Sequence, residues 1–312
     1  MALAVTSNFA GKAAGGYIHA ALKEAKSLDY LTQLNNVRYK SNIQSAANTG
    51  FVRNATCDFT ENGTLTLTEK VLEVKPLQIN IDLCKKTLVD SWESLEMTGA
   101  YGNPPSSFED FVISYMGGII ADQVETDIWQ GNDGNGELAA GFQAAVVGLL
   151  LPGVDATVIQ SAATGAYTSA NIIANLQQLV DDVAGNVPAI LGKEDLYIYM
   201  NNKTFSYYIS AISAFTGTPW GSLNTMGDYE PVFQGYKIAV CPGLIDNQTV
   251  AAQKSNMYWG TDLVSDFGTT GTGPRITIMD MSALDGSDNL RCVARYSGAV
   301  QTGVGADIVR QS

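Results

Sequence analysis

The strongest hydrophobic pattern in the chain runs from Ser106 to Gly134. Phe108, Phe111, Val112, Tyr115 and Ile119 recur at helical spacing and define one buried face. Met116, Ile120, Val124 and Ile128 form a second stripe, so the helix is expected to be covered on two sides. Ser106 stands three residues before Glu109, a capping-box spacing that satisfies free amides at a helix start. Pro104 and Pro105 keep the helix from extending backwards, and Gly131 with the polar run after it ends the helix. At 1.5 Å per residue, about 25 residues make a rod of roughly 37 Å. Gly117 and Gly118 interrupt it; each costs about 1 kcal/mol against Ala, and paired glycines allow a kink. These two are the candidate hinge.

Elsewhere the pattern switches between period two and helical spacing. Residues 1 to about 45 are small and polar and read as an arm, with a weakly amphipathic patch from Tyr17 to Ala25. From 46 to 83 alternation takes over in Thr64-Leu65-Thr66-Leu67-Thr68, Val71 to Lys75 and Ile79 to Leu83. Asn62-Gly63 supplies a hairpin-type turn before the first of these. A two-stranded excursion is marginal alone in water, so Leu65, Leu67, Val71 and Leu72 are expected to meet another copy of the chain. Cys84 to Glu96 reads as a short helix. Residues 138 to 168, rich in Ala, Gly, Val and Leu, carry no clear period.

Ile172, Leu176, Leu179, Val180 and Val183 mark a helix ending near Gly185. Leu196 to Met200 reads as a buried strand, and Phe205, Tyr208, Ile209 and Ile212 as the next helix. Gly235 turns into a strand that Pro242 closes, and Met257 to Trp259 is another short strand. Residues 275 to 296 read as a long hairpin, with Leu290, Cys292, Ala294 and Tyr296 on one side and its tip at Asp285-Gly286. A final strand is expected at Ala306 to Val309. Helices and strands are both expected throughout the chain.

Composition narrows the function. The chain has 312 residues, 46% hydrophobic and only 16% charged, so a sizeable core or interface fits. A net charge of −13 opposes tight nucleic-acid binding, which works by phosphate neutralisation, but leaves room for loose contact. No basic-then-apolar leader opens the sequence, and no apolar run is long enough to span a bilayer, so a soluble, intracellular product is expected. Cys57, Cys84, Cys241 and Cys292 lack metal-ligand spacing and read as buried free thiols.

Catalytic patterns are missing. His19, the one histidine, lies on the arm and supports no triad. GxSxG and GxxxxGK[ST] do not occur. Asp127, Asp133 and Glu137 lack EF-hand spacing, and adjacent Asp181 and Asp182 point apart on their helix. No catalytic residue, cofactor or metal is therefore assigned.

The order of parts resembles the major capsid protein of tailed double-stranded DNA bacteriophages, the Hong Kong 97-type capsid fold. The local matches are Leu88-Val89-Asp90-Ser91 ahead of the long helix, Glu125-Thr126-Asp127-Ile128-Trp129-Gln130-Gly131 at its end, Gly141-Phe142-Gln143 after it, Phe233 to Ile238, and Ile276 to Val300. The resemblance implies an α+β fold class, with an N-terminal arm (1–45) and an extended loop (46–78). It further implies a peripheral domain with the spine helix (79–139 and 272–299) and an axial domain (140–271 and 300–312). It implies hexamers and pentamers of the chain itself, loosely held DNA, a separate scaffolding protein, a portal, and room for a decoration protein. The location implied is the virion, with assembly in the host cytoplasm. Some members of that family cross-link a loop lysine to an asparagine; Lys70 and Asn289 lie in the corresponding regions. Two alternatives remain open on the sequence: an encapsulin-like nanocompartment shell, and a soluble hydrolase.

Overall fold

The alternating segment before the long helix forms two successive strand pairings with different partners. The computed structural model describes residues 25–55, 57, 61–84, 106–134, 136–213, 231–262, 277–282, 284 and 286–312. Strand β1 (Thr32–Leu34) is followed by β2 (Lys40–Thr49), β3 (Thr64–Glu73) and β4 (Lys75–Cys84). β2 pairs antiparallel with β3 alone, forming a two-stranded ribbon. Its outgoing strand starts inside the span expected for the arm. Asn62-Gly63 stands directly before β3, but β2 ends at Thr49, so the two strands are not joined by a two-residue turn. Gly63 has φ +79°, and a Cβ there would lie 2.4 Å from the Thr49 carbonyl oxygen, so the loop closes only on glycine. Cys84 ends β4; the remainder of the short helix expected from Cys84 to Glu96 lies outside the described residues, as do residues 17–24, His19 included, and Asp285.

The long helix α1 spans Ser106–Gln130, as its capping and stop signals predict. Met116, Val124 and Ile128 are buried and Ile120 is partly buried, which bears out the second stripe. Of the first stripe, Tyr115 is exposed and Ile119 half-buried, and the side chains of Phe108, Phe111 and Val112 lie outside the described residues. α1 lies on a pairing of β4 with β12 (Asn289–Thr302), where Met116 and Ile120 pack against Leu83, Leu290, Cys292 and Ala294. β12 also pairs with β11 (Thr277–Asp280) and, at its far end, with β10 (Met257–Gly260), which holds β1 on its other edge.

The second sheet runs β5-β13-β9-β6-β8-β7. Its strands are β5 (Ile159–Ser161), β6 (Leu196–Met200), β7 (Val232–Phe233), β8 (Tyr236–Val240), β9 (Thr249–Gln253) and β13 (Val309–Gln311). Helices α2 (Ile172–Asn186) and α3 (Asn202–Ser213) share its core, where Ile172, Leu176, Leu179 and Val183 meet Ile198, Ile238 and Val309. Gln234 and Gly235 both take positive φ between β7 and β8, the left-handed pair that a tight hairpin requires. The last strand falls later than expected because a 3-10 turn occupies Gly305–Asp307. The segment without clear period, 138–168, is a run of turns interrupted by the short strand β5.

Cys241 and Cys292 are buried free thiols, and burial pushes the Cys241 thiol up. Cys57 is free but exposed, and Cys84 half-buried, so burial was expected of two thiols that lack it. No helix among the described residues is long and apolar enough to cross a membrane.

Candidate functional site

The β2–β3 ribbon is two-faced because directly opposed residues of an antiparallel pair share a side. One face carries Leu65, Leu67 and Val71, opposite Asn48, Ala46 and Asn42. These three side chains are 58%, 71% and 44% exposed. The other face carries Thr64, Thr66 and Thr68 opposite Thr49, Ala47 and Ser45, with Ser45 Oγ and Thr68 Oγ1 hydrogen-bonded at 2.6 Å. The large apolar side chains of the exposed part of β3 are therefore all on one side.

Leu72 belongs to the second face and is fully buried within its own chain, beside Val37, Ile43, Val74 and Ala299. Its expected exposure to a neighbour is corrected: an even position at the ribbon's root faces the body. A Cβ on Gly260 would lie 2.3 Å from Leu72 Cδ2, so β10 approaches this closely only through glycine. Lys70 shares the body-facing side. Its Nζ is 2.7 Å from Asp155 Oδ2 and 3.0 Å from Thr302 Oγ1. Gln301 Nε2 donates to the Val71 carbonyl at 2.9 Å. Asn289, at the start of β12, stands in ladder register with Cys84. The sequence flagged Lys70; nothing in it pointed to Asp155, which is 85 residues away.

The Glu125-to-Gly131 motif is a structural junction. Glu125 is fully buried; its carboxylate accepts from Ser27 N (2.9 Å), Ser27 Oγ (2.7 Å) and Gly243 N (2.9 Å). Trp129 Nε1 donates to Ser27 Oγ at 2.7 Å. One carboxylate thus joins α1 to the segment before β1 and to the turn after β8. Gly141, Phe142 and Gln143 donate their amides to the Gly131, Ile128 and Trp129 carbonyls, capping the helix end that would otherwise leave orphan acceptors. A Cβ on Gly141 would lie 2.6 Å from the Trp129 backbone, which explains the glycine in that step.

Asp127 is 1% exposed, accepts from Gln123 Nε2 at 2.6 Å, and has an Oδ2 without a hydrogen-bond partner. Burial pushes its carboxyl up to about 6, Gln123 and Lys75 opposing and Glu137 adding to the rise. Lys75 is itself paired with Asp133. Burial also raises Tyr296 to about 12, with the Asp127 charge contributing.

Gly117 has open space around a would-be Cβ and lies within the continuous helix. Gly286, at the peripheral hairpin tip, has φ +71° and equally open surroundings. Among the described residues no group of acidic, His and Cys side chains is placed to hold a metal ion.

No protein-family profile and no curated protein matches the chain. Solved structures do. The capsid of the native GTA particle is 12% identical, with TM-score 0.59 over 96% of this chain and 93% of that one. The capsid of Myoviridae phage XM1 is 10% identical, with TM-score 0.59 over 99% and 98%. A structure from Mycobacterium phage Bobi is 13% identical, with TM-score 0.58 over 99% and 96%. These matches span nearly the whole chain, and at that coverage they show its fold: the chain has the Hong Kong 97-type capsid fold.

Proposed function

We propose that the chain is the structural subunit of an icosahedral phage head, self-assembling through hexamers and pentamers into a shell around double-stranded DNA. The observation that carries this reading is the ribbon's exposed face of Leu65, Leu67 and Val71, on a fold whose other bearers include phage and GTA capsids. A ribbon that exposes three large apolar side chains is poorly served by water. Fully burying such a side chain is worth about 1.5–3 kcal/mol. These three are 44–71% exposed, so covering them adds roughly half of that each, in sum about 2–5 kcal/mol, approaching the roughly 5–15 kcal/mol stability of a domain. The stabilisation therefore belongs to assembly. In this reading the protein is not an enzyme, resides in the virion, and works with a separate scaffolding protein and a portal.

The domain division follows the same reading. The arm precedes the ribbon, the ribbon is the extended loop, α1 with β4, β11 and most of β12 forms the peripheral domain, and the six-stranded sheet with α2 and α3 forms the axial domain. The test is a variant with Leu65, Leu67 and Val71 all changed to Ser. It should keep the parent's circular dichroism and sediment as subunits or capsomers, with no closed particles in negative stain. Normal shells from that variant, or only small particles from the parent, would overturn the proposal. Particles of the parent that hold protein cargo instead of DNA would favour a nanocompartment shell.

A further inference from the structure

Among the described residues the ribbon meets the body through Lys70, which bonds two separate segments, and through the Val71 carbonyl. We propose that Lys70 is an intramolecular latch that fixes the direction of the ribbon before any neighbour is met. Lys70 stands on β3 where the ribbon leaves the body, with Leu72 packed on one side of it along the strand and the exposed threonines on the other. Its ammonium reaches Asp155, in the turns before β5, and Thr302, at the end of β12. The strand is thus tied to two separate parts of the body.

Asp155 is built to receive that charge. Its side chain is 15% exposed, against 33% for Lys70. Oδ1 accepts from the Thr157 amide at 3.0 Å and from Thr157 Oγ1, leaving Oδ2 for Lys70. Burial raises the Asp155 carboxyl, but the hydrogen bonds from Lys70 and Thr157 outweigh it and leave the group below its ordinary range. Gly305 makes room: a Cβ there would lie 2.4 Å from Asp155 Oδ2. A carboxylate oriented by two donors of its own turn offers its free oxygen in one fixed direction, so the lysine is held in one geometry.

A two-stranded ribbon held by Leu72, Ile43 and the hydrogen bond from Gln301 to the Val71 carbonyl could still swing. A charge-assisted tie at the Ile43–Lys70 register, two residues beyond Leu72, narrows the swing and lowers the ordering cost of docking. That consequence for assembly rests on the clasp reading above; the latch itself does not.

The experiment is hydrogen exchange on the unassembled full-length chain. Lys70→Met should speed exchange of amides 64–73 by about tenfold or more, the scale of losing a hydrogen-bonded charge, while exchange over 116–130 in α1 stays unchanged. Asp155→Asn should act in the same direction. The exchanged pair, Lys70→Asp with Asp155→Lys, should recover most of the protection, which separates the pair from the bulk of either side chain. Unchanged exchange over 64–73 in Lys70→Met would overturn the latch, and so would a rise that spreads equally through α1. If the latch holds and the clasp reading fails, Lys70→Met will alter exchange while the triple serine variant still closes shells.

Discussion

The ribbon of β2 and β3 and the pairing of β4 with β12 each join ten residues of one strand to ten of another. Both are antiparallel, both alternate, and only Val74 separates β3 from β4. In the second pairing Leu83, Leu290, Cys292 and Ala294 lie under Met116 and Ile120 of α1, while Arg291 and Arg295 take the outer side. In the first, Leu65, Leu67 and Val71 are exposed, with no helix packed on them among the described residues. Alternation makes a strand with one apolar face in either place. What covers that face is set by the element laid across it, here one supplied by the same chain and, in our reading, one supplied by another copy.

The comparison is broken most sharply at Ala294, which is fully buried opposite Ile79. Ala294→Arg overfills the space under α1 and buries a charge without a partner, so a loss above about 4 kcal/mol is expected. Chemical denaturation of the soluble fraction measures it, and a variant as stable as the parent would show the helix to be a loose cover.

An effect of intermediate size is expected where the cover ends. Asp127 holds a proton in the folded state up to about 6, against an ordinary 3.8. Between those values the folded chain binds the proton and the unfolded chain does not. Stability therefore rises as pH falls through about 6 and levels off below the unfolded value. The gap corresponds to about 3 kcal/mol as an upper figure. Asp127→Asn keeps the acceptor for Gln123 and should stabilise the chain at pH 7 by up to that amount. Thermal melts between pH 4 and 7 should show a parent that gains on acidification and a variant that lacks this component.

The smallest effect on the fold is expected on the open ribbon. Leu67→Arg places the same side chain as the Ala294 variant on an equally apolar alternating face. Because Leu67 is 71% exposed, folding stability should stay within about 0.5 kcal/mol of the parent. Denaturation of the unassembled chain checks this, with light scattering reporting the assembly that the substitution should block. A large loss of folding stability would mean that the ribbon is part of the subunit's own core.

By itself the sequence determined the elements that local chemistry specifies. The capping signal at Ser106, the two prolines before it and Gly131 after it bounded α1, which runs Ser106–Gln130. The helical stripe from Ile172 to Val183, the apolar run at Leu196 to Met200 and the alternation of β12 likewise stood on residues close in the chain. β2 was not legible, because Ser41, Asn42, Gln44, Ser45, Ala46 and Ala47 show no apolar alternation; it is a strand only because β3 pairs with it. Leu72 and Leu67 look alike in sequence, yet one is buried and the other exposed, since only the fold decides where the body ends beneath the ribbon. Glu125 with Ser27 and Gly243, and Lys70 with Asp155 and Thr302, are junctions between segments 85 to 232 residues apart. Their chemistry is a carboxylate and its donors, written in common residues without fixed spacing. Periodicity reports what a residue's near neighbours allow; the partner of a charge or the cover of a face lies across the fold, and only the tertiary structure brings it there.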